Sequence, residues 1–442
     1  MTTPISEPPK GARAVAHDVL MAVDAREAYL QPALEAAAQR SALTPRDRGL
    51  TLELSSGTLR HVRKLDTLLD GCIARGLAST QNELRWILRV GAYQLISMDR
   101  IPARAAIHEA VELARTRLND GAARFVNGVL RGVQRQIAAR EWKPEALTPA
   151  VLHSQPDWLY EQLVATLGEE EALLAAAAVN LPAELTVRTT MADADFVNML
   201  DQSGISGQKA RFVPKAWHVS HDTLFRTEAF TRGDFFVQDE AAQLVVHLLD
   251  TQRGDNLWDV CAAPGGKSRH ILETLAGTGK LLATDDHAGK VARLKDTLSR
   301  HENVEVERHD GRTPRNATFD RVLLDAPCSA LGTLRRHPEI KWRRRPEDIP
   351  LMAAQQQTLL LSVCEAVRPG GVLIYAVCTT TEAEGPEQVR AFLDLRPDFE
   401  RRPPPEGSID WKELLDANGD MRVWPHRHGM DGFFAAALRR RD

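Results

Sequence analysis

The sequence predicts a multidomain protein, with an all-α bundle in front, a small α+β segment in the middle and an α/β domain behind. Three observations predict it. Between Ala12 and about Gln136 the apolar residues recur at helical spacing. Pro144, Pro149, Pro156 and Pro182 then punctuate the chain. From Phe235 onward short apolar runs alternate with helical stretches, the pattern of βαβ units on a parallel sheet. The expected divisions are 1–140, 141–234 and 235–442.

Within the front part, Val15, Val19 and Val23 share one helix face, and Thr44-Pro45 with Asp47 makes a capped helix start. Leu84, Ile87, Leu88 and Leu95 mark another helix, broken near Ile101-Pro102. Two more follow, from Ala105 to about Leu118 and from Ala122 to Val133. In the middle, residues 158–179 read as one helical stretch. Strands are expected at Leu185 to Arg188 and Ala210 to Val213, around a helix at Asp193 to Gln202. This α+β segment is similar to an RNA-recognition motif without its aromatic platform.

Composition bounds the function. At 442 residues, 43% hydrophobic and 26% charged, the chain can build two or three cores. Its apolar runs fall far short of the roughly 20 residues that span a bilayer. Met1 to Gly11 carries Pro, Ser and Glu where a signal peptide has an apolar core, so a cytoplasmic protein with no membrane partner is expected. Cys72, Cys261, Cys328, Cys364 and Cys378 are scattered, with no Cys-x-x-Cys pair. Neither disulfides nor a metal site are expected. The net charge of -4 is indifferent to nucleic acid, but Arg335, Arg336, Lys341, Arg343, Arg344 and Arg345 form a basic run around Trp342.

In the rear part, strands are expected at residues 256–260, 280–284, 304–308, 321–324 and 371–377, with a closing pair near 421–424 and 432–438. Asp259-Val260-Cys261-Ala262-Ala263-Pro264-Gly265-Gly266-Lys267-Ser268 reads as a strand end, a glycine turn and a helix opening at Lys267. Such a helix start aims free N–H groups at a ligand, and the glycines let backbone approach it. Asp285, Asp310 and Asp325 end the second, third and fourth strands, at the edge where ligands of such sheets bind. A carboxylate at Asp285 suits a ribose diol, with Asp286 as the alternative, and Asp310 suits the adenine amino group.

Cys328 and Cys378 follow neighbouring strands and reach the same rim. Cys72 and Cys364 read as buried small hydrophobes, whereas these two read as reactive thiols.

Several stretches carry a family resemblance. Gly57-Thr58-Leu59-Arg60, residues 88–95 and residues 125–131 resemble the NusB-like RNA-binding fold. Residues 259–268, 324–342 and Asp431-Gly432-Phe433-Phe434 closely resemble the RNA cytosine-5 methyltransferases. Together they point to the bacterial branch acting on small-subunit ribosomal RNA. The resemblance implies a Rossmann-like class I methyltransferase domain using S-adenosylmethionine, held by residues 261–267, Asp285, Asp310 and Asp325. It implies methylation of carbon 5 of a cytosine in 16S ribosomal RNA, before full subunit assembly, by a monomeric enzyme. Cys378 then corresponds to the nucleophile that attacks carbon 6, and Cys328 to the residue assisting product release. Asp325 and Lys267 face the base and the methionine end of the cofactor, and Arg335, Arg336, Lys341 and Trp342 meet the RNA. The chain departs from the family pattern in having Val377 and Thr379 around the nucleophile, where Thr and Ser are usual, and Glu384-Gly385 where Glu-Asn is usual.

Two rival readings compete. Gly266-Lys267-Ser268 looks like the end of a phosphate-binding loop, but Cys261 stands where that loop requires glycine. A non-catalytic RNA-binding assembly factor is the second rival.

Overall fold

A computed structural model describes residues 11–26, 28–220 and 222–442. The chain divides into two compact units. The first comprises residues up to Leu181 together with Leu334–Arg343, and the second comprises Pro182–Thr333 and Arg344–Asp442. The division therefore falls later than residue 140, and residues 141–181 cluster with the bundle.

The first unit is helical. Its helices include Ala12–Asp24, Leu30–Arg40, Pro45–Arg60, Val62–Asp70, Asn82–Ser97, Ala103–Arg117 and Asp120–Ala138. Thr44 caps the third by accepting a hydrogen bond from the Asp47 amide at 3.2 Å. Val15, Val19 and Val23 are buried beside Trp86, Ile87 and Leu88. Gly57 and Gly91 lie at the closest approaches. A Cβ on Gly57 would collide with the Tyr93 ring, and one on Gly91 would meet Leu130 at 2.6 Å. The expected single helix over 158–179 is two, Asp157–Leu167 and Glu169–Ala178. Gly168 separates them at φ +79°, a backbone conformation that glycine tolerates and other residues rarely adopt, so the first helix stops there.

The second unit contains two sheets. The smaller has the order β2-β3-β1-β4, all antiparallel, from β1 (Leu185–Thr189), β2 (Gly207–Lys209), β3 (Ala216–Val219) and β4 (Phe235–Val237). Helix Asp193–Gln202 covers it, with Phe196 against Trp217 and Phe235. The strand expected at 210–213 is instead the connection between β2 and β3. Its apolar residues Ala210 and Val213 are buried, but in the core of the larger sheet. The Phe212 and Val213 amides donate to the buried Glu240 carboxylate rather than to a ladder, at 2.9 and 3.1 Å. Burial without strand pairing produced the misleading apolar run.

The larger sheet has the order β10-β12-β9-β8-β5-β6-β7, with β11 paired to β12. It contains β5 (Asn256–Asp259), β6 (Lys280–Asp285), β7 (Val304–Arg308), β8 (Phe319–Asp325), β9 (Val367–Val377), β10 (Phe399–Arg401), β11 (Met421–Val423) and β12 (Phe433–Arg440). Strands β5 to β9 run parallel, and β12 is antiparallel to β9. From β5 the chain builds outward to β6 and β7, then returns to build β8 and β9 on the other side. The carboxyl ends of β5 and β8 thus flank a topological switch point, where such sheets open a crevice. Apolar clusters cover both faces of β5, β6, β8 and β9, which explains their apolar runs, whereas edge strand β7 alternates Val and Glu. Among the described residues no helix is long and apolar enough to cross a membrane.

Candidate active site

The loop after β5 is fixed by its neighbours. The Val260 amide donates to the Leu323 carbonyl at 2.9 Å, and the Ala262 amide to the Thr284 carbonyl at 2.8 Å. Gly265 adopts φ +107°, and a Cβ there would press on Leu294 and Thr297 at 3.0 Å. Helix Gly266–Leu275 starts one residue before the expected Lys267. Ser268 Oγ donates to Asp259 Oδ2 at 2.6 Å, while Asp259 Oδ1 is buried without a partner. Burial raises the Asp259 pKa to about 7; the Ser268 bond opposes the shift, and the nearby Asp325 charge adds to it.

Beside this loop lies a cleft lined by Cys261, Ala263, Asp285, Asp310, Asp325 and Leu359, among others. The structure thus brings the expected cofactor residues of β6, β7 and β8 to one place. Asp285 is buried at the end of β6 and accepts from the His287 amide at 3.1 Å. Asp310 is clasped by Arg312, with Nε at 2.9 Å from one oxygen and Nη2 at 2.8 Å from the other. That bond lowers its pKa. Burial raises the Cys261 pKa, and the charges of Asp285 and Asp325 reinforce the shift, so the thiol lines the cleft as a neutral group. A buried carboxylate for a diol, a carboxylate near a cationic centre and backbone brought close by Gly265 form a donor set that fits S-adenosylmethionine. They do not fit a triphosphate, which three carboxylates would repel.

Lys267 Nζ donates to Asp325 Oδ2 at 2.7 Å and lies 5.1 Å from the centre of the Phe433 ring. Burial alone would lower the Lys267 pKa, but the Asp325 charge and hydrogen bond outweigh it and raise it. The group is a firm ammonium.

Cys328 and Cys378 meet with their sulfurs 3.3 Å apart. The hydrogen bond to Cys378 pushes the Cys328 pKa far up, and burial and the charges of Cys378 and Glu384 add to it. Cys328 is therefore held as a thiol. The Cys378 carbonyl accepts from the Gly332 amide at 3.0 Å, and the Gly332 carbonyl from the Gly432 amide at 2.8 Å. The motif Asp431–Phe434 thereby reaches the nucleophile candidate through two backbone bonds. Gly332, Phe433 and Glu384 stand in stretches that the sequence singles out, but their roles in the site are not legible there, since none carries a local chemical signal.

The basic run requires a correction. Lys341 and Arg335 are buried in the first unit rather than presented to a phosphate. Lys341 Nζ donates to the Arg60 carbonyl at 2.8 Å and to Asn180 Oδ1 at 3.1 Å. Burial lowers its pKa well below the ordinary lysine value, and the nearby Arg60 charge lowers it further. The Arg335 carbonyl accepts from Arg60 Nη2 at 2.9 Å, and Trp342 Nε1 donates to the Leu59 carbonyl at 2.7 Å. Arg336 is half-buried. Leu334 and Ile340 anchor the segment, and the cations ride in with them.

Comparison with known proteins adds to this geometry. Residues 246–439 match the family model of 16S rRNA methyltransferase RsmB/F, and residues 10–135 match the NusB family. The chain is 34% identical over 451 residues to the probable ribosomal RNA small subunit methyltransferase B of Bacillus subtilis (strain 168), covering 97% of this chain and 98% of that protein. It is 35% identical over 408 residues to the ribosomal RNA small subunit methyltransferase B of Serratia proteamaculans (strain 568), covering 90% and 91%. The crystal structure of PH0851 superposes with a TM-score of 0.81 at 26% identity, covering 99% of this chain and 100% of that one.

Proposed function

Because this chain belongs to the bacterial ribosomal RNA small subunit methyltransferase B family, whose methyl donor is S-adenosylmethionine, we propose that it methylates carbon 5 of a cytosine in 16S ribosomal RNA. We further propose that it works through a covalent adduct between Cys378 and carbon 6 of that base. The observation that carries this reading is the pair of sulfurs 3.3 Å apart on neighbouring strands, next to the Lys267–Asp325 pair.

Carbon 5 of cytosine is too weakly nucleophilic to accept a methyl group directly. Addition of the Cys378 thiolate to carbon 6 breaks the 5,6 double bond and moves an electron pair to carbon 5. Residues 261–267, Asp285, Asp310 and Asp325 would hold S-adenosylmethionine, which would supply an electrophilic methyl group there. Once carbon 5 carries both hydrogen and methyl, transfer of its proton to a general base restores the double bond and expels the Cys378 thiolate. Cys328, kept protonated 3.3 Å from Cys378, is suited to donate a hydrogen bond to that leaving thiolate and so assist its release. Lys267 stabilises negative charge arising on the base, and Asp325 fixes Lys267. Flipping the base out of any stack costs a few kcal/mol, which contacts to the surrounding RNA offset.

Incubation of unmodified small-subunit ribosomal RNA with methyl-labelled S-adenosylmethionine tests the reading. Label is expected in 5-methylcytidine after digestion to nucleosides. Label confined to another nucleoside, or none, overturns it.

A further inference from the structure

Behind the two cysteines lies a buried carboxylate that the mechanism does not use. Glu384 has no exposed surface. Its Oε1 accepts from the Ser329 amide at 2.8 Å and from Gln356 Nε2 at 3.0 Å. Its Oε2 accepts from Ser329 Oγ at 2.5 Å, Thr381 Oγ1 at 2.9 Å and Thr379 Oγ1 at 3.5 Å. Because the Ser329 proton goes to the carboxylate, Thr379 shares its single proton between Ser329 Oγ at 2.8 Å and Oε2.

Those partners are not scattered. Ser329 follows Cys328 directly, and Thr379 follows Cys378 directly. One carboxylate thus joins the residue after each cysteine, across the ends of β8 and β9. Gln356, from helix Asp348–Val363, braces the assembly from behind by donating to the Pro327 carbonyl at 2.9 Å as well. Tyr375 of β9 closes it, its hydroxyl donating to the Glu384 carbonyl at 2.6 Å. A buried carboxylate is costly unless its oxygens are fully bonded, and here both are. The consequence is a rigid link between two loops that the strands alone leave free beyond their last ladder pair, Asp325 and Ala376.

We infer that Glu384 is a positioning residue whose carboxylate clamps the loops carrying Cys328 and Cys378 and so holds the two sulfurs at reacting distance. It acts through Ser329 and Thr379 and touches neither base nor cofactor. The hydroxyl of Thr379 serves this clamp as a serine hydroxyl would. The inference rests on the cysteine roles proposed above, but the spacing of the sulfurs can be read without any methyl transfer.

The test compares Glu384→Ala and Glu384→Gln in the full chain, with two readouts. The first is the rate at which diamide, a thiol oxidant, links Cys328 to Cys378, each sulfur losing its proton and one electron as diamide is reduced to the hydrazine. Peptide mapping identifies the bond. The second is kcat and KM for methyl transfer. In Glu384→Ala the crosslinking rate should fall at least tenfold and kcat about 100-fold, the loss typical of an ångström-scale misplacement, with KM for S-adenosylmethionine unchanged. Glu384→Gln should restore both to within about fivefold, because the amide oxygen can keep Ser329 N and Gln356 while the hydroxyls rotate to accept. Crosslinking that is unchanged in Glu384→Ala overturns the inference. So does a Gln variant as impaired in crosslinking as the Ala variant. A slowed crosslink in Glu384→Ala with wild-type turnover leaves the clamp standing and removes the cysteine mechanism instead.

Discussion

The sulfur of Cys328 lies 3.3 Å from the sulfur of Cys378, across the ends of two adjacent parallel strands. The pair is asymmetric, because Cys328 is held protonated by its bond to Cys378, by burial and by the Glu384 charge. Iodoacetamide at pH 8 should therefore alkylate Cys378 before Cys328, since only thiolates react. Peptide mapping after partial labelling reads the order. Earlier labelling of Cys328 would contradict its being held as a thiol.

Asp259 introduces a pH dependence into the second unit. Its folded pKa of about 7 lies above the ordinary value near 3.9, so the fold favours the protonated form. Its contribution to stability is fully present below about pH 4 and is lost as pH rises toward 7. Asp259→Asn should remove that loss, giving a higher unfolding temperature than wild type at pH 8 and a smaller difference at pH 5. The gain is of the order of 1–3 kcal/mol, less than the full shift because Asn must also face Ser268. A variant less stable than wild type at pH 8 contradicts the assignment.

Lys341 separates a structural cation from an RNA contact. Its folded pKa lies below the ordinary lysine value, so the unfolded chain binds the extra proton and the first unit gains stability as pH rises toward about 10. Lys341→Met should lose this pH dependence while leaving the salt dependence of RNA binding intact. A phosphate contact would instead reduce the slope of log K against log salt by about 1. Binding titrations at several salt concentrations decide between the two.

Gly332 and Gly432 cross beside Cys378. A Cβ on Gly332 would strike the Gly432 carbonyl and lie 3.0 Å from the Cys378 carbonyl. Gly332→Ala should destabilise the second unit by about 1–3 kcal/mol, the ordinary cost of overpacking, and lower kcat more than it raises KM. Unchanged kcat with lowered stability would show that the crossing serves folding alone.

The legibility of this molecule follows the physics of its parts. Strands β5, β6, β8 and β9 were readable because burial on both faces leaves apolar runs, while edge strand β7 showed as Val alternating with Glu, and Asp285, Asp310 and Asp325 stood out because charge beyond such strands needs a reason. Cys328 and Cys378 were readable as a pair because each follows its strand at the same edge. Glu384 was not, since its five donors come from three separate segments and only the fold assembles them. The run from Arg335 to Arg343 was misleading in the opposite sense. Charge density suggested an open surface, but Lys341 donates to a backbone carbonyl and Asn180, and Arg343 to the Val23 carbonyl, inside the first unit. Residues 210–213 failed for a third reason, as apolar residues can be buried by a connection as well as by a strand.

The central claim is a covalent route through Cys378, and trapping measures it most directly. Cys328→Ala and Cys378→Ala are each mixed with small-subunit ribosomal RNA and S-adenosylmethionine, then resolved under denaturing conditions. The Cys328 variant should accumulate a protein–RNA adduct, because addition proceeds and elimination stalls. The Cys378 variant should form none and transfer no methyl group, while still binding S-adenosylmethionine. Adduct in the Cys378 variant, or full turnover by it, contradicts the mechanism.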